Sequence, residues 1–127
     1  MIKNVLDASA VLAVLNGERG EKKVVPLLTE SAISTVNLTE VAAKLLETGM
    51  DEASAQLAVA VLGIGEIVEF TEDLAWEAAR LRPLTKQYGL SLGDRACLAL
   101  AIKLKVPAIT ADKEWSNLKL CRVIVIR

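Results

Sequence analysis

The chain has 127 residues, 53% apolar and 24% charged, with a formal net charge of −1; this composition excludes a disordered chain and a general polyanion binder, and the length predicts one domain over residues 1–127. Histidine is absent, which excludes Ser-His-Asp and Cys-His catalysis and His-ligated zinc sites. Aromatic residues make up only 3%, too few for an extended base-stacking platform.

Strand-like and helix-like patterns alternate along the whole chain. Short apolar runs predict strands, and apolar residues spaced by three or four predict helices. In chain order the predicted elements are a strand (2–6), a helix (10–15), a helical stretch (18–30), a strand (32–36), two helices (38–48 and 51–62), a strand (66–70), two helices (71–82 and 90–105) and two strands (107–110 and 122–126). Strands separated by helices require crossover connections, so we predict a three-layer α/β/α fold around a mainly parallel sheet of about five strands.

Cap and turn residues mark the ends of several predicted helices. The Ser9 hydroxyl is predicted to cap the first helix, and Asn37 the helix that follows the second strand. Pro26 interrupts the second helical stretch, because proline lacks the N–H that a helix interior needs. Gly49 is expected as a left-handed C-cap, and Pro83 is expected to interrupt the fifth helical segment.

The cysteine and hydropathy patterns bear on where the chain resides. Cys97 and Cys121 form neither a CxxC pair nor a disulfide framework, and no signal peptide precedes the first predicted strand, so we expect a cytoplasmic protein. The longest charge-free stretch, residues 53–65, is shorter than the roughly 20 apolar residues that cross a bilayer. We therefore expect no membrane association.

Four acidic residues follow predicted strands or open predicted helices. Asp7 ends the first strand, Glu40 lies in the helical turn after the second, Asp94 opens the longest helix, and Asp112 follows the fourth strand. In a parallel α/β sheet, ligands bind beyond the carboxyl ends of the strands. All four carboxylates are therefore predicted to face one edge of the sheet.

Two of these acids also have a purely structural explanation. Glu40 lies three residues after Asn37, and Asp94 lies three residues after Ser91, which is the spacing of a capping box. A carboxylate in the first turn of a helix is also stabilised by the helix dipole. Asp7 follows an apolar strand directly and Asp112 follows one after a single residue, a placement that core packing does not explain.

The residue types at this edge favour a hard divalent cation. Clustered carboxylates repel one another unless a proton or a cation compensates their charge. An all-oxygen ligand set without His or Cys selects Mg²⁺ or Mn²⁺ over zinc. Such ions activate water and stabilise a leaving oxygen, so the pattern indicates hydrolysis of a nucleic acid phosphodiester without a histidine base.

These motifs resemble those of PIN domains, and among them the VapC-type toxin ribonucleases of toxin–antitoxin pairs. The resemblance covers nearly the whole chain and rests on LDASA (6–10), NLTEV (37–41), LSLGDRACLA (90–99) and TAD (110–112). The third motif is the most specific. Trp115, an aromatic residue after the last motif, is also similar to the family pattern.

The resemblance implies an activity, a cofactor and partners. It implies a metal-dependent endoribonuclease that cleaves single-stranded RNA, acts as a homodimer and is inhibited by a small antitoxin protein. It implies that the four acids form a catalytic Mg²⁺ or Mn²⁺ site, with three polar residues in support. These supporting residues are Ser9, Asn37 and Thr110.

Basic residues are concentrated in the second part of the chain. Residues 1–77 contain 5 Lys and Arg against 13 Asp and Glu, whereas residues 78–127 contain 10 against 3. The segregation indicates either solvated helix faces or a basic wall beside an acidic site. Arg95 is a candidate for holding a substrate phosphate or for pairing with an acid. Arg82 and Lys86 lie at helical spacing and line either an RNA path or a solvated face.

Other functions and roles stay open at this point. A phosphoryl-accepting receiver domain needs paired acids at the first strand end and a lysine on a late strand, and residues 123–126 contain none. An inactive PIN-like scaffold would need a broken set of acids. An RNA-maturation nuclease that is not a toxin would have the same site. Trp76 and the two cysteines are predicted to lie in the core or at a dimer interface.

Overall fold

The computed structural model describes all residues from Met1 to Arg127, and its elements follow the predicted alternation. The strands are β1 (Asn4–Leu6), β2 (Ser31–Ser34), β3 (Glu66–Val68), β4 (Ala108–Thr110) and β5 (Val123–Val125). The α-helices are α1 (Ala8–Leu15), α2 (Glu21–Val24), α3 (Thr35–Glu47), α4 (Glu52–Ala60), α5 (Glu72–Thr85) and α6 (Leu92–Leu104). Short 3-10 turns cover Val25–Glu30, Lys86–Tyr88 and Lys113–Asn117.

The five strands form one sheet in the order β3-β2-β1-β4-β5, and every pair is parallel. Strand β1 is central, with Asn4 opposite Ser31 of β2 and Leu6 opposite Ile109 of β4. The predicted α/β fold with a five-stranded parallel sheet is confirmed. All five strands therefore present their carboxyl ends at one edge.

Side chains that alternate along the strands divide the core into two layers. Val5 packs on one face with buried residues of α5 and α6, whereas Leu6 packs on the other with α1, α3 and α4. Trp115 is the largest fully buried side chain and lies in the first layer. The central sheet is thus covered by helices on both faces.

The structure corrects two predicted helix caps. Helix α1 begins at Ala8, with Asp7 as its N-cap residue, so Ser9 lies inside the helix and does not cap it. Helix α3 begins at Thr35 and is capped by the Ser34 hydroxyl, which accepts a hydrogen bond from Val36 N at 3.2 Å. Asn37 is therefore not a cap either. In both cases the helix starts directly where the strand ends, which leaves the predicted cap side chain free for other contacts.

Two prolines behave differently from one another. Pro26 begins a 3-10 turn rather than an α-helix, in line with the predicted interruption. Pro83 lies inside α5, which continues to Thr85, so the expected interruption is wrong. Pro83 lies on an exposed face in the last turn of the helix. Its missing N–H removes only one intrahelical hydrogen bond there. The Thr85 hydroxyl also ties this turn together by donating to Leu81 O at 2.8 Å.

The remaining predictions concern the two cysteines, Trp76 and the absence of a membrane-spanning helix. Cys97 is fully buried in the core and Cys121 is half-buried, and both are free thiols. Trp76 is 60% exposed, so of its two predicted places the core is wrong and a dimer interface stays a prediction. None of the helices combines the length and hydropathy that crossing a bilayer requires.

Candidate active site at the carboxyl edge of the sheet

Four elements bring the predicted acids to the carboxyl edge. Asp7 follows the central strand β1 directly, and Asp112 follows the adjacent strand β4 after one residue. Glu40 lies in the second turn of α3, and Asp94 lies in the first turn of α6. The negative charges of Asp94 and Glu40 both act on Asp7, and that of Asp94 acts on Glu40.

Asp7 is the most buried of the four and is held by two hydroxyls. Its side chain Oδ2 accepts hydrogen bonds from Ser9 Oγ at 2.6 Å and from Thr110 Oγ1 at 2.9 Å. The other oxygen, Oδ1, has no protein hydrogen-bond partner. Ser9 Oγ and Thr110 Oγ1 lie 3.3 Å apart, so the three side chains form one compact network between β1, α1 and β4.

The network also orders the start of the segment that carries Asp112. Ala111 N donates to Ser9 Oγ at 2.9 Å, and Asp112 N donates to Thr110 Oγ1 at 3.1 Å. The two predicted supporting hydroxyls thus connect Asp7 to the backbone next to Asp112. Asp112 itself is exposed, and its Oδ1 accepts from Glu114 N at 2.9 Å.

Burial dominates the electrostatics of Asp7. Loss of hydration raises the pKa of this carboxyl from 3.8 to about 6. The Ser9 and Thr110 hydrogen bonds oppose the increase, whereas the charges of Asp94 and Glu40 add to it. An ionised Asp7 is therefore costly in this environment unless a positive charge lies close to it.

Glu40 is held by a contact between α3 and α6, which the capping-box spacing of Asn37 and Glu40 did not predict. Asn37 is fully buried, and its Nδ2 donates both to Glu40 Oε1 at 3.1 Å and to Gly93 O at 2.9 Å. Loss of hydration raises the pKa of the Glu40 carboxyl, and the Asp94 charge contributes in the same direction. The Asn37 hydrogen bond opposes this increase. Asn37 thus contacts an acid of the site.

Asp94 is held by the local structure that its spacing predicts. Its Oδ2 accepts from Ser91 N at 2.9 Å, and Asp94 N donates to Ser91 Oγ at 3.2 Å. This is a complete capping box at the start of α6. The structural explanation is thus correct for Asp94, yet Asp94 also contributes charge to Asp7 and Glu40.

The four carboxylates share one property. Each uses one oxygen in a hydrogen bond within the protein and leaves its second oxygen without a protein partner. The bonded oxygens are Asp7 Oδ2, Glu40 Oε1, Asp94 Oδ2 and Asp112 Oδ1. Second oxygens of this kind are suitable ligands for a hard divalent cation.

The donor chemistry fits Mg²⁺ or Mn²⁺, although the carboxylates do not form a closed cage as they stand. No group of three or more Asp, Glu or Cys side chains is arranged to hold a metal ion. The buried Asn37 Oδ1 has no partner, and Asp7 is desolvated among negative neighbours. Both features are unfavourable without a cation or water nearby. Binding a cation would require the acidic side chains to move towards one another.

The predicted basic residues are placed differently from one another. Arg95 forms no ion pair; its guanidinium donates to Ala78 O of α5 at 3.2 Å, so pairing with an acid is wrong. The Nε of Arg95 is buried and has no partner. Arg82 and Lys86 are exposed at the end of α5 and in the following turn. Neither is part of the carboxylate network.

Sequence reasoning missed two residues beside the acids. Cys97 is buried on α6, and burial followed by the charge of Asp7 raises the pKa of its thiol, which keeps it protonated. Gly93 touches the Glu40 carboxylate, because a Cβ there would lie 2.6 Å from Glu40 Cδ. Glycine inside the first turn of a helix is intrinsically unfavourable, and this was the available signal.

Comparisons with known proteins identify the family and the fold of the chain. The family model described as "PIN domain" matches residues 5–120. None of the curated protein sequences matches the chain. Solved structures with the same fold include a toxin–antitoxin complex from Klebsiella pneumoniae, with 21% identity, a TM-score of 0.77 and 98% of each chain covered.

Two further structures have similar values. DNA-bound VapBC from Salmonella typhimurium has 17% identity and a TM-score of 0.76, with 97% of each chain covered. VapC20 from Mycobacterium tuberculosis, a toxin that cleaves the sarcin–ricin loop, has 20% identity and a TM-score of 0.74. The match with VapC20 covers 94% of this chain and 99% of that one. At these identities the likeness shows a shared fold.

Proposed function

Because the chain belongs to the PIN domain family, we propose that it is a divalent-metal-dependent endoribonuclease that cleaves single-stranded RNA and serves as the toxin of a toxin–antitoxin pair. The observation that carries this proposal is the set of four carboxylates at one sheet edge, each with one oxygen left without a protein partner. The structural neighbours named as toxins and toxin–antitoxin complexes support the biological role.

Asp7, Glu40, Asp94 and Asp112 are the residues that would hold Mg²⁺ or Mn²⁺. When bound, the cation supplies positive charge that activates a water nucleophile and stabilises the leaving oxygen of the phosphodiester. Ser9 and Thr110 orient the Asp7 carboxylate by holding Oδ2, which leaves Oδ1 for the site. Asn37 holds Glu40 in the same way through Oε1.

The experiment that tests the catalytic proposal is cleavage of single-stranded RNA by the purified chain with Mg²⁺, with Mn²⁺ and with EDTA. We expect cleavage with either ion and none with EDTA. Contaminating nuclease is controlled by an Asp94→Asn protein purified in parallel, which should be inactive. Equal cleavage in EDTA would contradict a metal-dependent site, and no cleavage of any single-stranded RNA would favour a non-catalytic α/β binding module.

An apolar groove supports an antitoxin partner. The groove lies between α3 and α4 and has a volume of about 360 Å³. Its apolar lining residues are Leu38, Ala42, Leu46, Ala55, Val59, Ala60 and Ile67. Leu46 is 44% and Ile67 49% exposed. Monomeric proteins rarely expose large apolar patches, and such patches mark interaction sites. We assign this groove to an apolar helix of the antitoxin.

Substitution in this groove gives a second prediction. Leu46→Asp should abolish copurification with the protein encoded by an adjacent short reading frame, because it places a charge in the apolar groove. RNA cleavage by the free chain should be unchanged. Leu84→Asp is the matched control, since Leu84 is also exposed but lies on α5. Retained copurification of Leu46→Asp would place the partner elsewhere.

The same experiments separate the two nuclease roles. A toxin should arrest growth when expressed alone and be neutralised by its partner. An RNA-maturation nuclease should do neither while still cleaving RNA. We also propose a homodimer, to be measured by light scattering, and a cytoplasmic location, which the two free thiols favour.

A further inference from the structure

Glu40 reaches the site across an interface between two helices that are distant in sequence. Helix α3 carries Glu40, and its carboxylate lies against the backbone of Gly93 in the first turn of α6. A Cβ on Gly93 would lie 2.6 Å from Glu40 Cδ and 3.0 Å from Oε2. Real Cβ atoms essentially never come within 3.0 Å of a non-bonded heavy atom from elsewhere in the protein. Any residue other than glycine at this position must therefore displace the carboxylate.

Asn37 holds the same carboxylate through Oε1, which is also the Glu40 atom nearest to the Cβ position on Gly93. Both neighbours of its amide group, Glu40 Oε1 and Gly93 O, are hydrogen-bond acceptors, so the NH₂ group must point towards them. Because Asn37 is fully buried, this orientation leaves Oδ1 buried without a partner. An unpaired buried carbonyl is costly, and a hydrophobic residue would avoid that cost. The amide is thus better explained by what its NH₂ group holds than by core packing.

We propose that Asn37 and Gly93 are positioning residues that together set the place of the Glu40 carboxylate in the metal site. We call this pair the Glu40 seat: the Asn37 amide holds Oε1, and the missing side chain of Gly93 provides the space for the carboxylate. The seat ties α3 to α6, so it also sets the distance between Glu40 and Asp94. This inference deepens the proposed function and rests on it for the role of the metal.

Gly93→Ala is the informative substitution because it separates stability from positioning. The atoms that an added methyl group meets belong to the flexible end of Glu40, so the side chain can swing away without disturbing the backbone. Alanine also has a higher helix propensity than glycine. In EDTA we expect Gly93→Ala to melt at the same temperature as the wild type or higher.

The same variant should bind metal more weakly. Residues that orient a ligand typically change metal affinity by roughly 10- to 100-fold when they are altered. We therefore expect a Mn²⁺ dissociation constant at least about tenfold higher for Gly93→Ala. Asn37→Ala should show a comparable loss of Mn²⁺ affinity. Thr39→Ala is the matched control in α3, because its hydroxyl donates to Thr35 O and not to Glu40.

A double-mutant cycle tests whether the effect passes through Glu40. In a Glu40→Ala background, the methyl group of Gly93→Ala has no carboxylate to displace, so the double variant should bind Mn²⁺ as Glu40→Ala alone does. An equal further loss in that background would overturn the seat, because it would mean that Gly93 acts on another ligand. Unchanged Mn²⁺ affinity for Gly93→Ala in the native background would also overturn it.

A measurement without metal tests the Glu40 seat independently of the proposed activity. In EDTA, the side-chain amide resonance of Asn37 should shift in both Gly93→Ala and Glu40→Gln, and should stay in place in Thr39→Ala. If the Asn37 amide resonance does not shift in Glu40→Gln, the Glu40 seat is overturned even if the protein is an active nuclease. If the wild type binds no Mn²⁺ and the resonance still shifts, the proposed function fails while the contact itself stands.

Discussion

Asp7→Asn is expected to lower the rate of RNA cleavage by roughly a thousandfold or more, the largest effect of any single substitution in the site. Asp7 follows the central strand directly and is the most buried of the four acids, with 5% of its surface exposed. The amide of asparagine removes the negative charge. Its carbonyl oxygen still accepts hydrogen bonds from Ser9 and Thr110, so the network around it is kept.

The measurement is single-turnover cleavage of an RNA substrate with saturating Mn²⁺. Asp73→Asn is the matched control, because Asp73 is an exposed acid in the first turn of α5. This variant should cleave RNA at the wild-type rate. Cleavage by Asp7→Asn within tenfold of the wild type would show that Asp7 is not a ligand. Its burial would then have to be explained by folding alone.

Without metal, the folded state is expected to lose stability as the pH rises from about 4 to above 6. The pKa of Asp7 is about 6 in the folded protein and 3.8 when unperturbed. Between these values the folded state binds more protons than the unfolded state, so the free energy of unfolding falls with increasing pH. A difference of this size corresponds to about 3 kcal/mol at pH 8.

Asp7→Asn removes this penalty, so in EDTA at pH 8 it should be more stable than the wild type by up to about 3 kcal/mol. Well below pH 3.8 the two proteins should be equally stable, because Asp7 is then protonated in both the folded and the unfolded state. Chemical denaturation from pH 3 to 8 measures the difference between the two proteins, in which the carboxyls that do not interact with Asp7 cancel. A difference that does not change with pH would contradict the burial of an ionisable Asp7.

The same pair of proteins should respond differently to Mn²⁺. A ligand that binds only the folded state raises its stability according to its affinity. The wild type should therefore gain more stability from Mn²⁺ than Asp7→Asn does. At pH 8 the stability difference between the two proteins should become smaller or change sign. Asp112→Asn should give little gain in EDTA, because Asp112 is exposed and its charge is already solvated.

Local sequence determined the parts of this protein that depend on neighbouring residues. The alternation of apolar runs predicted the order of strands and helices, because each run must bury one face. The spacing of Ser91 and Asp94 predicted their capping box, since three residues apart at a helix start each side chain reaches the backbone N–H of the other residue. Asp7 and Asp112 were predicted at one edge because parallel strands place their carboxyl ends together.

Only the tertiary structure decided what surrounds those acids. Thr110 is 103 residues from Asp7, and Gly93 is 56 residues from Asn37, yet each pair is joined by a hydrogen bond. Spacing along the chain contains no information on such contacts. Local spacing therefore assigned Ser9 and Asn37 to helix caps, the commonest local use of those side chains, and only the resemblance to PIN domains implied that they support the acids. Their real partners are brought close by the packing of α1 against β4 and of α3 against α6.

The pKa of Asp7 shows the same division in energetic terms. Its identity and its place after a strand are properties of five consecutive residues, LDASA. Its raised pKa depends on burial among β1, α1 and β4 and on the charges of Asp94 and Glu40. Hydration and charge interactions depend on distance in space, and for residues far apart in sequence that distance is set only when the sheet and its helices have assembled.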